Sequence, residues 1–355
     1  MLRTTRLISL AVAIAAAAVV AGSASGRIAV DVFTVHNLVS DTAGTAPVTD
    51  ASLVNAWGLS AGPTTPWWVS DNGTNTSTLY TGTGAKQALT VSVPGAPTGT
   101  VFNPSATAFS ISQSGKSGAA RFLFSTEGGM ILGWSPTVNA NTAIPGVDRS
   151  ASGAVYKGLT TMADRLYATD FHNGRVDVFD ASFKPVTNLP FSDPQLPKGY
   201  APFGIQALSG SIFVTYAQQD AAKKDDVAGP GFGYVDQFTP DGKFVARVAP
   251  GGRKNAPSNA PWGLALAPAS FGAIAGDVLV GNFGDGKISA YKDLGGGKWG
   301  YKGQLRLGDQ KPITIEGLWA IAVGNDSAAG PASTLYFAAG PGDEKHGLLG
   351  SITAG

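Results

Sequence analysis

The chain has 355 residues, of which 48 are glycine, 22 proline and only 14% charged, a composition that favours many short strands over long helices. Its 25 basic and 24 acidic side chains leave a formal charge of +1, which gives no electrostatic hold on nucleic acid or an anionic membrane surface. It contains no cysteine, so neither disulfides nor a cysteine-based metal site stabilise it, and stability has to come from a packed core.

In chain order, the first element is MLRTTRLISLAVAIAAAAVVAGSASG. Two arginines, an apolar run from Leu7 to Val20 and a stretch of small residues read as a secretory signal peptide over residues 1–25. The run is shorter than the roughly 20 residues a spanning helix needs. The expectation is export to the periplasm or the extracellular medium, with no membrane attachment after cleavage. Residues 26–355 then form one domain, opening with RIAVDVFTVHNLVSD, a single strand without a partner nearby.

A repeat follows. Each copy has a small-aromatic-glycine-aliphatic segment, a loop, a β-rich run ending in a polar residue, a glycine-rich turn and another β-rich run. The copies are NAWGLSAGPTTPWWVSDNGTNTSTLYTG, the degenerate NPSATAFSISQSGKSGAARFLFSTEGGMILGWSP, KGLTTMADRLYATDFHNGRVDVFDAS, APFGIQALSGSIFVTYAQQ, APWGLALAPASFGAIAGDVLVGNFGDGKISAYKD and EGLWAIAVGNDSAAGPASTLYFAAGPGDEKHGLLGSIT. Their second runs begin near Trp67, Arg121, Leu166, Ile212, Val278 and Leu335, so the period is 45 to 66 residues. Such a period, built from short strands and glycine turns, predicts a six-bladed β-propeller, all-β, with the N-terminal strand completing the last blade and removing its exposed edge. The fourth copy carries an insertion, AQQDAAKKDDVAGPGFG, in which Lys223, Lys224, Asp225 and Asp226 read as a solvated loop tip.

Antiparallel strands reverse direction, so successive loops alternate between the two ends of each sheet. One face therefore collects Asn55, Asn259 and Glu316 from the loops entering the first strands. It also collects Asp71, Asn72, Glu127, Asp170, His172, Asn173, Asn282, Asp285, Asp343, Glu344 and His346 from the turns after the second strands. Loops on the other face, such as SAGPTTP and APASFGAIAG, are small, apolar and proline-rich. In SDNG, TDFHNG and GNFGDG the Asx-Gly pairs are hairpin turn signals, which accounts for Asp71, Asn72, Asn173 and Asp285 without any ligand. No turn type requires His172, which leaves it open between a loop imidazole and a ligand contact. Trp57, Phe203, Trp262 and Trp319 recur on the innermost strands, as packing between blades or as a stacking platform. Gly58, Gly204 and Gly263 follow three of them and fit places where neighbouring backbones approach.

Two functions compete. One is an exported propeller that binds a small molecule, glycan or protein on the polar face, through Asn55, Asp71, Asp170, His172, Asn282 and Glu316. The other is a Ca²⁺-dependent lactonase- or esterase-like hydrolase at the mouth of the central channel. There Glu316, Asn55 and Asn259 would supply the oxygen ligands a hard cation takes, and His172 or Asp170 the general base. No zinc motif, nucleophile elbow or phosphate loop marks another chemistry.

The strings NLVSD, LVNAWGLS, WWVSDNG, YATDFHNGRVDVFD, APFGIQ, GYVDQFTPDGK, NAPWGLALAP, GNFGDG and GLWAIAVGN, spread from Asn37 to Ile352, resemble a family of uncharacterised exported bacterial proteins. Some members carry C-terminal PEP-CTERM sorting tails; GSITAG is not one, and the resemblance implies soluble export. More widely the chain is similar to six-bladed propellers of the NHL-repeat and gluconolactonase-like groups. That similarity implies a divalent metal at the channel mouth, with IEGLW supplying Glu316 and VNAWG supplying Asn55. APFG and APWG place Ala and Pro where such a metal set has further Asn and Asp.

Overall fold

A computed structural model describes residues 32–355; the signal-peptide reading of residues 1–25 lies outside the described residues. Among these, no helix is long and apolar enough to cross a membrane. The fold is an all-β propeller. Its six innermost strands are Ala56–Ser60, Pro97–Phe102, Tyr156–Met162, Tyr200–Leu208, Pro261–Leu266 and Leu318–Val323. Each packs beside the next, and the last packs beside the first, so they close a ring.

Outside each inner strand lies an antiparallel second strand: Trp67–Asp71, Phe122–Thr126, Arg165–Asp170, Ser211–Gln218, Val278–Asn282 and Leu335–Ala339. These starts fall within one residue of those read from the repeat. The strand Phe33–Ser40 pairs antiparallel with Leu348–Ala354 and completes the last group, as expected from the unpartnered N-terminal strand. Phe33 is buried there with its ring 4.7 Å from that of Phe271.

The packing explains why the second strands read as unbroken apolar runs. Each is covered on both faces by the neighbouring groups, whereas the outer strands Lys86–Ser92 and Lys298–Gln304 are only partly covered. The core is correspondingly divided into wedges between adjacent groups. Trp68, Leu79, Phe122 and Leu132 fill one; Leu279, Ile288, Phe337 and Ile352 fill another. Backbones approach closely at the ring. A Cβ on Gly58 would meet the Thr98 carbonyl and lie 2.7 Å from Thr100 N, and one on Gly263 would lie 2.6 Å from the Trp319 carbonyl. Only glycine fits such contacts.

The third group departs from the repeat. It has three strands, and the place of a fourth is held by a bridge from Phe179 to Pro185 and by the Val186 N–H donating to Val178 O. Pro185, Pro190, Pro194 and Pro197 explain the loss, because proline cannot donate to a ladder.

Candidate functional site at the channel mouth

The axis is filled at one end by aromatic rings. Trp57 and Phe283 each stack on Trp319, with centroids 3.6 and 3.8 Å away, while Phe203 and Trp262 meet it edge-on at 5.8 and 6.1 Å. Trp57, Phe203 and Trp319 are buried, so of the two readings of the inner-strand aromatics the packing one holds. The rings form a plug.

Over this plug the polar loops converge, and one bond fixes their orientation. The Trp319 indole N–H donates to Asn55 Oδ1 at 2.9 Å. An indole nitrogen is only a donor, so the Asn55 amide has to turn its NH₂ the other way. That NH₂ donates to Glu344 Oε2 at 2.7 Å and to Asn72 Oδ1 at 3.2 Å. The Asn72 amide in turn donates to Glu127 Oε2 at 3.2 Å, and Glu127 Oε1 accepts from Lys157 Nζ at 2.6 Å. Lys157 also reaches Asp225 Oδ1 at 3.2 Å and lies 4.9 Å from the Trp57 ring centroid. A continuous chain of hydrogen bonds, in which donors from both sides meet at Glu127, thus joins five of the six strand groups.

Lys157 is 1% exposed, on the inner strand of the third group. Burial opposes its ammonium form, but Glu127 and Asp225 hold it above the ordinary lysine value. Burial pushes the Glu127 carboxyl up, and the Lys157 ammonium, its hydrogen bond and Asn72 more than offset this, leaving Glu127 below the usual range. Burial raises Glu344, against the hydrogen bond from Asn55. It raises Asp226 to about 7, with Lys157 opposing and Glu344 adding. Asp226 Oδ2 is buried with no hydrogen-bond partner among the described residues. Asp343 and Glu344 both adopt left-handed backbone conformations, with φ of 54° and 64°. Non-glycine residues there cost of order 1–3 kcal/mol each and concentrate at functional sites.

The insertion is therefore not simply a solvated tip. Lys223 and Lys224 are exposed, but Asp225 and Asp226 turn back over the channel mouth. The Gln219 side chain anchors the loop to Phe171 O at 2.6 Å, and the Gly229 N–H anchors it to Asn259 Oδ1 at 2.6 Å.

Most of the residues picked out from the sequence serve their own turns. Asp71 is fully buried and accepts the Thr76 and Thr78 hydroxyls at 3.0 and 3.1 Å. Asp170 is also buried; it accepts from the Asn173 amide at 2.7 Å and pairs with Arg175 at 3.2 Å. Asn282 donates to Pro257 O and accepts from Asn259 N. His172 is half-buried on its turn, and no hydrogen bond joins its ring to Asp170. Asp170 therefore has both oxygens engaged within its own corner, and His172 stands beside it on the turn.

Glu316, Asn55 and Asn259 do not form the oxygen cage expected for Ca²⁺. The Asn55 oxygen faces an indole N–H, the Asn259 oxygen faces a backbone N–H, and Glu316 is bound instead to the Gly342 N–H at 2.9 Å. Among the described residues, no group of three or more Asp, Glu or His side chains is placed to hold a metal.

Glu316 opens onto a separate cleft of about 470 Å³ on the same face, lined by Phe283, Asp285, Thr314, Gly340 and Asp343. Lys287 pairs with Asp285 at 3.1 Å and Lys345 approaches Asp343 at 3.9 Å; Glu316 has no ion pair among the described residues.

Sequence reasoning missed Lys157. Its signal is present, a lysine inside the apolar inner-strand segment AVYKGLTT, but a repeat copy that opens on KGLTT places Lys157 at a border rather than inside the strand. Asp225 and Asp226 were missed because an insertion has no repeat to locate it.

No family model matches the chain. Among solved structures it is similar to a glucose dehydrogenase, at 13% identity over 91% of this chain and 100% of that one, with a TM-score of 0.54. It is likewise similar to a streptogramin B lyase, at 13% identity over 92% and 98%, with a TM-score of 0.53. Likeness at this identity shows the propeller fold alone. Of the sequence relatives, uncharacterized protein R640 of Acanthamoeba polyphaga mimivirus is 32% identical over 231 residues, and the chain spans 42% of its length. Uncharacterized protein L690 of the same virus is 32% identical over 340 residues, covering 92% of this chain and 87% of that protein. These relatives are viral, not the exported bacterial proteins that the motifs suggested. The protein belongs to the family of mimivirus protein L690.

Proposed function

We propose that the protein is an exported binding propeller whose cleft beside the channel mouth takes a small ligand bearing an ammonium or guanidinium group. The observation that carries this is Glu316: an exposed carboxylate without a cation partner, facing a cleft with two further carboxylates and the Phe283 ring. The cleft's volume falls in the range of small-molecule sites, roughly 300–1,000 Å³. A carboxylate beside an aromatic wall suits a cation with an apolar body. Phe283 is held rigidly by stacking on Trp319, so the wall is preorganised. Export rests on the N-terminal leader.

Calorimetric titration with agmatine at low ionic strength tests the binding reading. Saturable one-to-one binding that weakens with added salt, and about tenfold (about 1.4 kcal/mol) in Glu316→Gln, is expected. Absence of saturable heat, or equal affinity in the variant, would overturn it.

A further inference from the structure

The opposite end of the channel holds a second site. Below the aromatic plug, the far ends of the inner strands enclose a cavity of about 330 Å³, which narrows into a deeper pocket of about 30 Å³ ending at Trp262. It is a blind pocket, since the plug closes the axis above it.

Its walls are unusual for a solvent-facing strand end. Ala61, Val101, Leu208, Leu266 and Val323, from five different strand groups, put half-buried aliphatic side chains at its rim. Leu59, Leu264 and Ile321 continue the apolar wall inward, and no charged residue lines either part. Of the polar side chains in the lining, Ser60 accepts from the Phe102 N–H, Thr100 donates to the Leu123 carbonyl and Asn325 donates to the Gly62 and Thr65 carbonyls, so these are engaged by the protein itself.

One polar group in these walls lacks a protein partner. Gln206 lines both the cavity and its deeper part, and its side-chain amide has no hydrogen bond among the described residues. A free side-chain amide offers an NH₂ donor and a carbonyl acceptor to one neutral polar group. With no cation in the walls, a carboxylate would enter unpaired, at high desolvation cost, and an ammonium would meet no carboxylate.

We infer that this pocket binds a neutral, elongated apolar molecule carrying one carbonyl or hydroxyl oxygen, of the fatty alcohol, ketone or ester class. The site is separate from the cleft of Glu316 and does not depend on that reading.

The test is calorimetric titration of the full chain with 2-octanone, octanoate and octylammonium at pH 8. Saturable one-to-one binding of 2-octanone, at least tenfold tighter than either charged analogue, is expected. Gln206→Leu should weaken it several-fold, Ala61→Trp should abolish it by filling the mouth, and Glu316→Gln should leave it unchanged. Near-ultraviolet circular dichroism checks that the variants are folded. Should either fail to fold, the unmodified protein still decides: 8-bromooctan-1-ol should quench tryptophan emission saturably, because Trp67 and Trp262 line the pocket. No saturable 2-octanone binding, no such quenching, equal affinity for the charged analogues, or full binding by folded Ala61→Trp would overturn the inference.

Discussion

At the scale of single residues, the channel mouth is governed by how burial and charge divide the protons among Lys157, Glu127 and Asp226. Removing one member of a buried pair leaves a desolvated charge behind, which costs more than the intact pair contributes. Linkage gives this a pH signature. The Asp226 carboxyl is raised from 3.8 to about 7 on folding, so between those values the folded chain keeps a proton that the unfolded chain has released. Its contribution is fully present below the unfolded value and is lost as pH climbs through 7. Asp236, also raised by burial to about 7 despite its pairing with Arg247, acts in the same direction. Glu127 is lowered on folding and acts oppositely, losing its contribution as the solution turns acid. The melting temperature should therefore fall between pH 5 and pH 8. Asp226→Asn should remove part of that fall while leaving the acid limb intact; scanning calorimetry at pH 4, 5, 6.5 and 8 would show it, and a variant profile parallel to the parent's would refute it.

At the scale of elements, closure by the first described strand should matter more than its length suggests. Phe33–Ser40 covers what would otherwise be the open edge of Leu348–Ala354, and Phe33 locks it by packing on Phe271. Phe33→Ala should cost about 3–5 kcal/mol, typical of a buried Phe, seen as a lower urea midpoint. The strand's role could be read from the sequence because an unpaired β-rich segment and a closed repeat leave it one place to go. The repeat likewise gave the second strands to within a residue, since both of their faces are buried and hydrophobicity alone marks them. What the repeat did not show were features set by contacts between groups. The prolines after Phe179 remove the third group's outer strand, and the insertion folds back onto Lys157, far away in sequence, where Gln219 and Gly229 anchor it. The turn residues misled in the other direction: Asp71, Asp170 and Asn282 have ligand-like side chains, but each is used up by the hydroxyl, amide or backbone groups of its own corner.

At the scale of the whole molecule, the ring creates a single axis with two unlike ends, and the aromatic plug separates them. Trp319 is the pivot. Its ring is packed among Trp57, Phe203, Trp262 and Phe283, and its N–H sets the direction of Asn55 and, through it, of the chain of bonds to Lys157. Trp319→Phe keeps an aromatic ring in the plug but takes the donor from Asn55 Oδ1, leaving a buried acceptor unsatisfied, at about 1–3 kcal/mol. The smaller ring adds a packing loss of the same sign. The two ends should respond differently. On the polar face Phe283 loses part of its stacking surface, so agmatine binding should weaken. In the apolar pocket Leu264, Ile321 and Gln206 are untouched and only Trp262, at the deep end, meets the Trp319 ring, so 2-octanone affinity should fall less than agmatine affinity does. Urea unfolding and paired titrations of the variant measure all three quantities, and equal loss at both ends would mean that the plug couples the sites instead of separating them.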